Sequence, residues 1–430
     1  MPSNLATANG LLKDVYEKGI ENELNNETPG LDMFEEANDT QMVGRQYIKG
    51  VRVNRNRGGY WTAEGGTPPT AGRQDIQNFL IPQRYYHHAV QFSKQVMDAT
   101  KTTAGALEDA MQLEMEGCVD DLRVQHNWAM WGDGRGIRAI ISPGASSTTQ
   151  TLIGPGGVTQ TSNTNRFLNV DDYIGFVVPT TGALRLTTVH KITALPSSTT
   201  ILIDPTANTT TNDYVVKVAY TAGTLAIDDT EFMHPAMGLR GLVDNGTYVN
   251  ILHGLSRTSY PVLQSTVITS VGALSADVLQ RGIDVAAQVG QARIDRHWVH
   301  PDTKRAYLAL MEADRRYTAG DLKSPDAGTN AASKGLGDTG LSFGGAKIYQ
   351  DYNVDSGVWY GLDTRSLRKF SGSSGWVDDD HPGSPLHMSY TQIDTFIAYY
   401  RKYINYAMYR PAQAFRLDGI TTNVLSVHVV

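Results

Sequence analysis

The stretch NRNRGGYWTAEGGTPPTAGRQ, residues 54 to 74, sets the hardest limit on how this chain folds. It carries five Gly, two Pro and three Arg, and its only large apolar side chains are Tyr60 and Trp61. Such a segment has no means of burying a core of its own, and turn chemistry dominates it. Yet strand-like stretches flank it. Tyr47, Val51 and Val53 alternate on the way out, and Tyr86, His88, Val90 and Phe92 alternate on the way back. This spacing predicts a long hairpin over residues 41–98 with an irregular basic tip. Limbs of that length without their own core imply a partner.

Charge is distributed to match. The formal net charge of the 430 residues is −7. Residues 1–40 hold nine acids and two lysines, so the whole excess lies there, whereas residues 41–98 hold eight basic and three acidic side chains. An acidic arm precedes a basic one. The plain reading is two solvated surfaces. The sharper one is complementary docking between neighbouring copies. It would use Glu17, Glu21, Glu23, Glu35 and Glu36 on the acidic arm and Arg55, Arg57, Tyr60, Trp61 and Arg73 on the loop.

Elsewhere the patterning is conventional. Leu11, Leu12, Val15, Tyr16, Ile20 and Leu24 recur at helical spacing, predicting a helix over 5–24. ALEDAMQLEMEGCVDDLRVQHNWAMW, residues 106–131, predicts a helix about 40 Å long that stops at GDGRG. Between about 143 and 227, Ser, Thr, Gly and Asn surround the β-prone runs YIGFVV, RLTTVHKI, TTILID and YVVKVAY. That block reads as a small barrel or sandwich inserted into a host domain. Helices are expected at SADVLQRGIDVAAQVG, capped by Ser275, and from residue 302. Strands are expected at AKIYQD, at VWYGLD and along the Tyr-rich stretch that ends at Pro411. Residues 315–340 read as a long polar loop.

Chemistry-bearing constellations are sparse. His87 and His88 are adjacent, so on a strand they face opposite ways and do not chelate one metal. Asp133 in GDGRG lacks the alternating ligands of a calcium loop and the Lys-Ser/Thr of a phosphate loop. Cys118 is the single cysteine, which excludes an intramolecular disulfide and a cysteine zinc site and suits a reducing compartment. No Gly-x-Ser-x-Gly elbow, base-reading motif, signal-peptide pattern or apolar run of membrane-spanning length occurs. The expectation is a protein without catalytic, metal or cofactor sites. A soluble hydrolase or sugar-binding protein is disfavoured by the lack of a catalytic cluster.

In segment order the chain resembles the major capsid proteins of tailed bacteriophages, the Hong Kong 97 fold. Five stretches carry the resemblance. They are NWAMWGDGRGIRAII at the end of the long helix, MGLRGLVDNGTYVNILHGLSRTSYPVLQSTVI, MEADRRYTAGD, SFGGAKIYQDYNVDSGVWYGLD and FIAYYRKYINYAMYRPAQAF. The resemblance implies an α+β fold with an N-terminal arm (1–40) and an extended hairpin loop (41–98). A peripheral domain with a spine helix (99–142) and an inserted β-rich domain (143–227) follow. The mainly axial domain (228–385) and terminal peripheral strands (386–430) complete the chain. It implies a head shell of hexamers and pentamers around double-stranded DNA contacted without sequence preference. It implies a portal protein, a scaffolding protein on a separate chain because none is fused here, a decoration protein as a further candidate partner, and no membrane. The location implied is the virion, assembled in the host bacterial cytoplasm. An encapsulin-like compartment around a cargo enzyme is the alternative of the same fold. The minimal fold lacks the 143–227 block, and no crosslinking Lys–Asn pair is assigned.

Overall fold

A computed structural model describes residues 28–36, 45–93, 95, 110–157, 163–221, 225–315, 341–377, 386–388 and 395–422. The helix expected over 5–24, Glu17, Glu21, Glu23, residues 106–109 of the long helix and the loop 316–340 lie outside the described residues. The chain divides into two compact units.

The smaller unit contains residues 87–124 and 375–401. Its apolar cluster joins buried Val90 and Cys118 to Trp376 and Tyr400. The Trp376 and Tyr400 rings meet edge to face at 5.3 Å. Burial, reinforced by the Asp121 charge, pushes the Cys118 thiol up to about 11, so it stays protonated and inert.

The larger unit holds the hairpin. Gln46–Asn54 and Asp75–Pro82 run antiparallel, with Tyr47 opposite Ile81 and Arg52 opposite Ile76. This corrects the expected return limb. Tyr86, His88, Val90 and Phe92 lie in Arg84–Ser93, which pairs not with the outgoing limb but with Thr395–Met408 in a five-stranded sheet. The break is at Pro82, which has no N–H to continue a ladder. The Pro82 carbonyl accepts Asn405 Nδ2 at 2.7 Å, and Gln83 N closes back on the Arg45 carbonyl at 3.2 Å.

The β-rich block is a closed barrel. Ala139–Ile141, Ser146–Ile153, Thr200–Asn208, His190–Ser197, Tyr173–Val177 and Tyr214–Tyr220 pair in that order, and the last returns to the first. Ile227–Thr230 adds a seventh strand beside Tyr214–Tyr220. Ile141, Leu152, Ile174, Phe176, Ile192, Ile201, Ile203 and Val215 fill the interior. Closure leaves few unpaired edges. The block therefore begins before residue 143. The run Ala139–Ile141, buried throughout, is its first strand rather than a sequel to the long helix.

The rest of the larger unit is a six-stranded mixed sheet, in the order Thr266–Ile268, Phe415–Leu417, Trp359–Leu362, Arg296–Val299, Ala346–Gln350 and Ser342–Phe343. Helices Ala276–Gly290 and Pro301–Arg315 supply apolar residues to its core, among them Leu279, Ala286 and Tyr307. Ser275 caps the first by accepting Val278 N at 3.3 Å. Phe415 sits in a slot made by two glycines. A Cβ at Gly361 would lie 2.0 Å from its ring, and one at Gly282 2.8 Å away. The long helix is described over Ala110–Trp131, and its last residue packs in the central core. Trp131 meets the rings of Trp298 and Tyr360 at 5.6 and 5.8 Å. Among the described residues no helix is long and apolar enough to cross a membrane.

Candidate assembly surface

The hairpin has two faces because its strands alternate. Val53, Phe79 and Ile81 are buried against the body of the larger unit. Ile48, Ile76 and Leu80 point the other way, and Ile76 is 65% exposed. The buried face is well anchored. The Tyr47 ring lies 4.8 Å from Phe370, and the Lys49 ammonium sits over the Tyr409 ring at 5.5 Å. Phe79 meets the His253 ring at 5.5 Å.

Hydrogen bonds hold the tip together. Asn56 bridges it, donating from Nδ2 to the Gly72 carbonyl at 3.0 Å and accepting Gly58 N at 2.8 Å. A Cβ at Gly72 would lie 2.1 Å from Asn56 Oδ1, which is why glycine is needed there. Tyr60 donates its hydroxyl to the Thr67 carbonyl at 2.5 Å, and Ala63 and Gly66 close a turn at 2.9 Å. Trp61 is 102% exposed. Arg55, Arg57, Tyr60 and Arg73 are exposed around it. The five loop residues singled out from sequence thus lie exposed on one loop. The Trp61 indole is fully exposed on a loop held by its own hydrogen bonds.

The acidic residues are placed differently. Glu35 pairs with Arg368 of its own chain at 3.0 Å. Glu36 is held by its backbone in a strand, in register with Lys369.

Sequence reasoning missed the charge network behind the hairpin. Arg257 and Arg416 are buried, and both serve the loop that follows Leu239–Leu242. Arg257 donates to the carbonyls of Gly241, Leu242, Val249 and Leu263 at 2.7 to 3.1 Å. Arg416 donates to the carbonyls of Arg240 and Val243 and holds Asp418 at 2.9 Å. Asp244 sits between the two guanidiniums and accepts the backbone N–H groups of Gly246, Tyr248 and Val249. A buried loop has carbonyls that water cannot reach, and guanidinium forks satisfy them. The available signal was a charge inside an apolar run, as in GLRGLVD.

A second group ties the barrel to its host. Asp355 accepts Arg166, from the barrel block, at 2.6 Å and also pairs with Arg240. Arg138 at the barrel's first strand pairs with Glu231 at 2.8 Å and stacks on Trp128 at 3.4 Å. The GDGRG turn ends the long helix and adds an ion pair, with buried Asp133 held by Arg135 at 2.7 Å. Among the described residues no group of three or more His, Cys, Asp or Glu is placed to hold a metal ion.

No family model and no curated protein matches the sequence. Solved structures match the fold over nearly the whole length. The chain is similar to a chain of the cyanophage A-1(L) capsid asymmetric unit, with a TM-score of 0.59 and 11% identity over 98% of this chain and 100% of that one. It is similar to a chain of the capsid of an empty GTA particle, with a TM-score of 0.52 and 10% identity over 96% and 98%. At these identities the likeness is one of fold. The chain has the mixed α+β fold of phage capsid proteins.

Proposed function

We propose that this chain is a major capsid protein that self-assembles into the icosahedral head shell of a tailed bacteriophage around packaged double-stranded DNA. The carrying observation is the hairpin. One face packs on its own body while the tip holds Trp61 fully exposed, in a chain with a capsid-protein fold. In this reading residues 1–40 are the N-terminal arm. Residues 46–82 are the extended loop that reaches a neighbouring copy, and Ala110–Trp131 is the spine helix. The barrel is an outward insertion available to neighbours or a decoration protein. Portal and scaffolding proteins assist assembly. The role is structural rather than enzymatic. DNA is met through its phosphates without base readout, because no base-reading motif is present.

Electron microscopy of the purified protein, and of the particle it comes from, tests this. Closed icosahedral shells with one distinct vertex and nuclease-protected DNA are expected. Shells filled with a protein cargo would point to the compartment alternative, and a protein that stays monomeric at all concentrations and with a scaffolding protein would overturn both.

A further inference from the structure

A groove lies beside the base of the hairpin, in the larger unit. It has two lobes, about 580 and about 680 Å³, that share Gln291, Tyr409 and Arg410 as walls. The first is bounded by the outgoing hairpin strand and by the C-terminal end of helix Ala276–Gly290. Lys49, Arg52, Arg55, Arg293 and Arg410 line the two lobes, and among the described residues no Asp or Glu does. None of these five makes an ion pair among the described residues. The sixth cation, Arg365, is already held by Asp363 at 2.5 Å. Between the charges the groove exposes two apolar side chains, Val262 at 47% and Val289 at 64%. Cations with interleaved valines call for an acidic partner that also brings apolar side chains.

The chain contains such a sequence. In residues 11–27, Leu11, Leu12, Val15, Tyr16, Ile20 and Leu24 are interleaved with Asp14, Glu17, Glu21, Glu23 and Glu27, which outweigh Lys13 and Lys18 and leave a net charge of −3. We infer that this groove is the receptor for residues 11–27 of a second copy of the chain. The carboxylates face Arg52, Arg55 and Arg410, and the apolar side chains cover Val262 and Val289. This rests on the reading of the chain as a shell subunit and locates one of its contacts. Charge complementarity of this kind fixes partner and register. Nucleic acid is the competing polyanion. The two valines favour the peptide, since a phosphate backbone has no apolar side chains to set against them.

The single buried cysteine makes the test clean, because Cys118 is shielded and its thiol stays protonated. One full-length chain carries Glu21→Cys, and a second, size-tagged chain carries Val289→Cys. They are mixed, assembled, oxidised mildly and mapped by mass spectrometry. A disulfide between the two different chains is expected. Arg52→Glu with Arg410→Glu should cut its yield about tenfold, and Glu17→Arg with Glu23→Arg should restore it. The pair Arg57→Glu and Arg73→Glu at the tip should leave it unchanged. A gel shift with duplex DNA runs in parallel. Shells that form without this link would overturn the inference and leave the shell reading intact. Links in oligomers that never close would do the reverse. A link only within one chain, or a groove variant that loses DNA binding while keeping the link, would also overturn it.

Discussion

His253 and Phe79 form the keel of the hairpin. Their rings lie 5.5 Å apart, and the His253 carbonyl accepts the N–H of Leu80, the residue after Phe79, at 2.9 Å. His253 takes a left-handed conformation, φ 48°, followed by Gly254 at 85°, so a two-residue turn pushes the imidazole under the strand. Among the described residues its Nε2 is buried without a hydrogen-bond partner. The returning hairpin strand thus rests on a histidine that burial keeps neutral.

This has a pH consequence. Burial, helped by Arg257, pushes His253 down to about 3. Burial with Lys402 and Lys369 pushes His126 down to about 3. Burial brings His297 to about 4 although the Phe343 carbonyl opposes it. Each folded value lies below the unfolded one, so between them the unfolded chain binds more protons. The stabilisation is complete above about pH 6.5 and is lost as pH falls toward these values. Each group should cost about 2 kcal/mol between pH 7 and pH 5. Denaturant unfolding at the two pH values checks this. His253→Asn, which tolerates the left-handed backbone, should flatten the slope, and an unchanged slope would remove His253 from the account.

Arg257 is the second lever. Replacing it with Met keeps the length and removes the donors, leaving the carbonyls of Gly241, Leu242, Val249 and Leu263 and the Asp244 carboxylate without it. A loss of about 3–5 kcal/mol is expected, measured as the shift in denaturant midpoint. Arg257→Lys should recover little, because an ammonium does not span four carbonyls. A loss below 1 kcal/mol, on the order of a surface pair, would mean that the loop relaxes.

Gly361→Ala tests the slot around Phe415. The new Cβ would overlap the ring at 2.0 Å, and overpacking of this kind costs about 1–3 kcal/mol. Combining it with Phe415→Leu should cost less than the sum of the two single changes, because the smaller side chain vacates the overlap. Additive losses in thermal unfolding would show that the strand moves aside instead.

The sequence made some of this legible and not the rest, for physical reasons. Short-range signals worked. The apolar spacing around Cys118, Leu122 and Ala129 gave a helix that ends at Trp131, and Ser275 was a cap by type and place. Pairing was not legible. Tyr86, His88 and Val90 alternate as a strand should, but alternation does not name the partner, and Pro82 diverted them into another sheet. Buried charge was harder still. Arg416 and Asp244 are 172 residues apart, and nothing local to either shows that they meet. The exposure of Tyr60 and Trp61 was legible because a stretch so rich in Gly and Pro has no core in which to bury them. Arg293 and Arg410 were not, because only the fold brings them beside Arg52.

Removing the tip separates its two roles. Residues 56–72 are deleted and the limbs joined by a short turn. The segment hydrogen-bonds to itself through Asn56 and Tyr60, and Trp61 is fully exposed. Its loss should therefore leave the fold intact. Shortening a loop changes closure entropy by only about 0.6 kcal/mol per halving of length, so circular dichroism and most of the melting temperature should persist. On the shell reading assembly should fail, because the contact proposed for the tip is lost at every copy of the interface. Trp61→Ala should be milder. Surface changes away from special features stay within about 0.5 kcal/mol of folding stability, yet a buried aromatic anchor at an interface is worth about 2 kcal/mol or more, so the threshold concentration for shells should rise severalfold. Light scattering against concentration reads this directly. Normal shells from the deletion would make the tip dispensable. Loss of the monomer's dichroism would show that the tip packs on its own subunit, and the projecting indole would then need another explanation.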